Sequence, residues 1–129
     1  MTIETVTVGG KQYNIAQASA MEQKKLLHLM AARLTYAVGK NTEVILDRSF
    51  LMGALMSVPE EDFDTVAKIV LYKTVVKGGD KVVDLSDFQG CVTSYYELVA
   101  EAVRVNLGDF IGWLNLARQP SEAPKATGG

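Results

Sequence analysis

Polar and apolar residues alternate from Thr2 to Val8 and again from Lys11 to Ile15, and Gly9-Gly10 joins the two runs. Alternation with a period of two marks a half-buried strand, and a glycine pair supplies the positive φ angles of a tight hairpin turn. The pattern predicts a β-hairpin over residues 3–15. A lone hairpin is marginal in water. Its apolar side chains, Val6, Val8 and Tyr13 or their alternates, must therefore rest on helices or on another chain's sheet.

Beyond the hairpin the period lengthens. Ser19-Ala20-Met21-Glu22 has the spacing of a capping box, in which a serine oxygen and a carboxylate satisfy orphan amides at a helix start. Leu26, Leu27, Met30, Leu34 and Val38 follow three or four apart, which predicts a helix over 20–38 stopped by Gly39. Val44, Ile45, Phe50, Leu51, Ala54 and Leu55 predict a second helix over 43–57. Ser57-Val58-Pro59-Glu60 reads as a cap with proline in the first turn, opening a third helix over 60–76. Glu60, Glu61, Asp62 and Asp64 sit where a helix dipole favours anions, which accounts for the acidic cluster without a docking role.

Gly78-Gly79-Asp80 ends that helix, and Lys81 to Leu85 predicts a short extended piece. Ser86-Asp87-Phe88-Gln89 reads as a second capping box, opening a fourth helix over 87–107. A break at Gly108 precedes an apolar, aromatic helix over 109–117, and residues 119–129, with nothing large and apolar to bury, read as a flexible tail. The expected architecture is one mainly helical α+β domain spanning 1–118, with four principal helices behind an N-terminal hairpin.

Composition narrows the function. The 129 residues are 48% hydrophobic and 22% charged, enough for one sizeable core and too few for two domains. Thirteen Lys and Arg against fifteen Asp and Glu leave no field to hold a phosphate backbone, so nucleic acid is not an expected partner. Apolar runs such as Ile69-Val70-Leu71-Tyr72 fall far short of the roughly 18 residues a membrane span needs. With no leader pattern after Met1 and a single cysteine, the chain is expected in the cytoplasm.

Motif chemistry is sparse. Gly9-Gly10-Lys11 lacks the earlier glycine and the following Ser or Thr of a phosphate loop, and it precedes a strand. His28 has no Cys, Ser or carboxylate three or four residues on, and Cys91, beside Val92, reads as a small buried hydrophobe. One His and one Cys cannot build a metal cage. No nucleophile, base and orienting group can be placed together, so no enzyme, cofactor or metal is expected.

The distinctive feature is an aromatic and aliphatic excess in the last third. Tyr95, Tyr96, Phe110, Ile111 and Trp113 are the candidate partner-binding residues, because Tyr and Trp anchor protein interfaces. The same residues also suit the core of a helical bundle, and both readings stay open. Met21, Met30, Met52 and Met56 would suit an adaptable apolar groove, or simply fill the core.

The order of these features resembles the small tail assembly chaperones of long-tailed bacteriophages and prophages. The residues that carry the resemblance are the Thr5-Val6-Thr7-Val8-Gly9-Gly10-Lys11-Gln12-Tyr13-Asn14-Ile15 hairpin, the Gln23 to Leu34 helix, the turn Ser57 to Phe63, and the closing run Val103 to Leu114. The resemblance implies a non-enzymatic protein that coats the helix-rich tape measure protein in the host cytoplasm. It further implies recruitment of tail tube protein, possible self-association, and absence from the mature virion. The physical logic agrees, since a long helix with apolar stripes aggregates unless a groove covers it. A structural tail subunit, such as a tube or terminator protein, and a bacterial helix-binding adaptor are the alternatives.

Overall fold

The computed structural model describes the backbone of residues 3–40 and 48–117, and the side chains of 3–34 and 48–114. The fold is α+β and mainly helical. Strands β1 (Ile3–Val8) and β2 (Lys11–Ala16) form the hairpin, with Val6 opposite Tyr13 and Val8 opposite Lys11. Gly9 and Gly10 turn it at φ 58° and 82°, where a side chain would be strained. A Cβ on Gly9 would also stand 3.0 Å from Ser94 Oγ, so the hairpin tip abuts a later helix. The alternation buries Val6, Val8, Tyr13 and Ile15 on one face.

Helices α1 (Ala20–Lys40), α2 (Arg48–Ser57) and α3 (Glu60–Val70) follow. Ser19 Oγ accepts from the Glu22 amide at 3.3 Å, one half of the expected capping box, while Glu22 Oε1 makes no return bond, and α1 runs through Gly39 instead of stopping there. Residues 43–47, assigned to the second helix by their spacing, and the tail at 119–129 lie outside the described residues. Ser57 does not cap α3. Its hydroxyl donates to Ala54 O at 2.6 Å and closes α2, while Pro59 holds the N-cap position of α3 with no side-chain bond.

The segment after α3 corrects two expectations. The third helix ends at Val70, not Val76, and Val75–Val76 forms β3, paired antiparallel to β2 through Tyr13 and Asn14. Thr74-Val75-Val76 is a β-branched run, and the open edge of β2 offers it a ladder. Lys81 to Leu85 is consequently no strand; it contributes only a bridge between Val82 and Val75. The fourth helix also starts later than expected. Asp84, not Ser86, anchors the box: its carboxylate accepts from the Ser86 amide, and Asp87 returns to the Asp84 amide, both at 2.9 Å. This closes a single 3-10 turn at Leu85–Phe88, Gly90 reverses the chain at φ 83°, and α4 begins at Val92.

Helix α4 (Val92–Asn106) is the centre of the fold, packed against β1, α2, α3 and the short α5 (Gly108–Ala117). Leu98, Val99, Ala100, Ala102 and Val103 are fully buried. Each large apolar side chain so enclosed contributes about 1.5–3 kcal/mol. Two polar residues are buried with them. Asn106 Oδ1 accepts from the Ala18 amide (2.8 Å) and Gln23 Nε2 (3.2 Å), and its Nδ2 donates to Ala102 O (2.9 Å). Glu101 accepts from Arg48 Nε (2.7 Å) and Arg104 Nε (2.9 Å). Arg104 continues to Glu4, and Arg48 donates to Thr7 O, filling an acceptor on the outer edge of β1.

Burial opposes ionisation of Glu101, but hydrogen bonds and charge from Arg48 and Arg104 outweigh it and hold the carboxyl below its ordinary value of 4.5. A depressed folded-state value stabilises the fold above the unfolded pKa, and that stability is lost as pH falls through the folded one. Glu101→Gln is therefore expected to cost roughly 3 kcal/mol at pH 7 and to flatten the acid limb of stability below pH 4.5, as read by urea melts across pH. Asn106→Ala, which strands the Ala18 and Gln23 donors, is expected to lose about 2–3 kcal/mol in the same assay.

Candidate functional site

The five candidate aromatic and aliphatic residues separate into two groups. Tyr95 and Tyr96 lie in the first turns of α4, and Phe110, Ile111 and Trp113 lie on α5 beyond its far end. Ten helical steps lead from Tyr96 to Asn106, about 15 Å at 1.5 Å each.

The first group belongs to an aromatic cluster that joins β2, α3, the 3-10 turn and α4. Tyr95 is buried, its ring 5.4 Å from Phe88 and 6.0 Å from Phe63. Phe88 meets Tyr13 at 6.3 Å, and half-buried Tyr96 stacks on Phe63 at 4.3 Å. Burial, reinforced by the charge of Asp64, raises the Tyr95 phenol above its ordinary pKa. Burial, with Cys91 and Asp87 behind it, does the same at Tyr13.

The second group straddles α5. Ile111 and Leu114 face inward and are buried beside Leu107. Phe110, half-buried against the core, stacks at 5.8 Å on Trp113, which stands on the outer side 59% exposed. Asp109 is the only charged residue of α5. A largely apolar helix is normally enclosed, and the described residues cover one side of this one.

A groove of about 330 Å³ runs between this helix and the start of α1, with Leu27, Leu107, Phe110 and Trp113 as its apolar walls. Lys24 and Asp109 stand on its rim. A second groove, about 370 Å³, lies between α1 and α3 and is lined by Lys25, Lys68, Ile69 and Tyr72. Beside it, Tyr72, Val82 and Leu85 form an exposed apolar strip that the sequence pattern had not marked. Of the methionines, Met30 is buried, Met52 half-buried, and Met21 and Met56 exposed. The α5 groove has the larger exposed apolar anchor, since Trp is the residue type most enriched at the centre of interfaces.

Residues weighed for chemistry fall elsewhere and apart. His28 is exposed on α1, and Gly9-Gly10-Lys11 is the hairpin turn. Cys91 is exposed at the N-cap of α4, which corrects its reading as a buried hydrophobe: the later helix start leaves it in the linking turn. Among the described residues no group of three His, Cys, Asp or Glu side chains could hold a metal ion, and no helix is long and apolar enough to cross a membrane.

A family model described as "Phage tail assembly chaperone protein, TAC" matches residues 9–116, from the hairpin turn to the last turn of α5. The chain belongs to the phage tail assembly chaperone family. No curated protein and no solved structure matches it. Membership implies protein partners in tail assembly.

The division of α5 into two faces has a measurable consequence. Ile111→Ala is expected to lose about 2–4 kcal/mol of stability by opening a cavity, and Trp113→Ala less than about 1 kcal/mol because its ring stands in solvent. Equal losses in urea unfolding would place Trp113 in the core.

Proposed function

We propose that this protein is a non-enzymatic chaperone of the phage tape measure protein in the host cytoplasm, binding its apolar helical stripe and helping to recruit tail tube subunits. Of Tyr95, Tyr96, Phe110, Ile111 and Trp113, those of α5 build the contact surface. Phe110 and Trp113 meet the partner, while buried Tyr95 and Ile111 hold their helices in place. The observation that carries the reading is the exposed Trp113 on the outer face of α5, in a chain that belongs to the tail assembly chaperones. A helix laid in the adjoining groove would bury its apolar stripe against Leu27, Phe110 and Trp113, the helix-in-groove mode of recognition. Displacement as the tube polymerises leaves the chaperone outside the mature virion.

Coexpression with the tape measure protein tests this. The expected result is a soluble complex of fixed stoichiometry in size-exclusion chromatography with light scattering. Phe110→Ala with Trp113→Ala should weaken it at least tenfold, about 1.4 kcal/mol, without unfolding the chaperone. Aggregated tape measure protein beside a free chaperone, or recovery of this chain in purified virions, would overturn the proposal.

A further inference from the structure

We infer that the groove between α1 and α3 is a second docking surface, built for a partner helix that carries carboxylates on both flanks of its apolar stripe. Position along α1 separates the two grooves. Successive residues of a helix turn by about 100°, so Gln23, Lys24 and Leu27 line the groove toward α5, whereas Ser19, Glu22 and Lys25, three apart, line the groove toward α3. From the other side Thr65, Lys68, Ile69 and Tyr72 close it at one-turn spacing. The ridge of α1 stands between the two, so occupancy of one leaves the other open.

The lining sets the chemistry of the occupant. Within its volume of about 370 Å³ the apolar part is buried Ile69 and the Tyr72 ring, which is 44% exposed. Lys25 and Lys68 stand on opposite walls, on α1 and α3, and Lys73 adds a third ammonium 5.4 Å from the centre of the Tyr72 ring. Among the described residues none of these lysines has an ion-pair partner. The chain as a whole carries a formal charge of -2, so the cations here are not the spill of a generally basic surface. Unpaired cations on both walls select a carboxylate on each flank of the helix laid between them. The α5 groove selects a different helix, since its walls carry Lys24 and Asp109.

Glu22, the single carboxylate of the lining, adds a second requirement. Its Oε1 is enclosed without a hydrogen-bond partner, a costly state for a charged group. An acidic side chain would be repelled there, so the occupant offers Glu22 an N–H or O–H donor, from Ser, Thr, Asn or Gln. The far end sets a limit. Lys68 and Tyr72 also border the strip that leads to Val82 and Leu85, where Asp64 and Asp84 stand. The acidic stretch of the partner therefore ends at Tyr72, and what continues over exposed Val82 and Leu85 is apolar.

This surface does not rest on the tape measure reading, and its test uses the full chain alone with synthetic helical peptides. Two labelled peptides share a leucine stripe with one central glutamine; the first has Glu on both flanks and the second Lys. In fluorescence anisotropy the Glu peptide should bind about tenfold more tightly than the Lys peptide, and the difference should shrink as salt screens the pairs. Lys25→Glu with Lys68→Glu should exchange that preference, and Tyr72→Ala should weaken the Glu peptide about tenfold. All three side chains are exposed, so these variants should melt with the unaltered protein. Amide shifts in NMR spectra of the unaltered chain should place the Glu peptide at residues 19–25 and 65–72, and Trp113→Ala should leave its affinity unchanged. Equal binding of the two peptides, binding of neither, a Glu preference that survives the double lysine exchange, or shifts confined to α5 overturns the inference. Loss of the tape measure complex in the Phe110 and Trp113 variants bears on the α5 groove alone.

Discussion

Helix α4 is touched by the hairpin, α2, α3 and α5, and a helix so enclosed can satisfy its surroundings only by being apolar on nearly every side. The two polar side chains it buries then decide what can pack where. Asn106 gives a buried acceptor to the chain as it leaves the hairpin, which fixes the start of α1 against the end of α4. Glu101 draws Arg48 and Arg104 inward, and through them ties α2 and β1 to the same helix. An unpaired carboxylate or amide at either position would be far more costly than an apolar residue, so these groups specify one arrangement more than they stabilise it.

How much of this was legible in the sequence depends on whether the deciding contact is local. The hairpin was, because Gly9-Gly10 and the alternation of Val6, Val8, Tyr13 and Ile15 carry turn, register and face together. The start of α1 was as well, since Ser19 needs only a donor three residues away. Strand β3 was not. Thr74-Val75-Val76 continues the apolar spacing of α3, and what makes it a strand is the free edge of β2, sixty residues earlier in the chain. The start of α4 was misread for a different reason: Asp84 to Asp87 and Ser86 to Gln89 have the same box spacing, and the tighter turn ending at Gly90 selects the first.

The surface was partly legible. Residue type singled out Phe110 and Trp113, but type cannot say which side of α5 faces inward. That is decided by Ile111 and Leu114 packing beside Leu107 at the end of α4. Tyr95, flagged on the same grounds, turns inward because Phe63 and Phe88 arrive from two other elements to enclose it. The walls contributed by Lys24 and Leu27 were invisible as a site, since nothing local relates α1 to a helix more than eighty residues away.

Helix α5 is where the requirements of folding and of binding pull apart. Ile111 and Leu114 attach it to the core, yet the same ten residues leave Trp113 in water and include Gly112 where alanine would make a better helix. A domain selected only for stability would fill those outer positions with charged helix formers, as α1 does with Lys24 and Lys25 on its exposed side. Leaving them apolar exposes the free protein to nonspecific association, a hazard that grows with concentration. Cover by a partner's apolar stripe, as proposed above, removes that hazard without polar substitutions. Shielding a partner's apolar stripe and shielding its own surface are then two uses of one set of side chains.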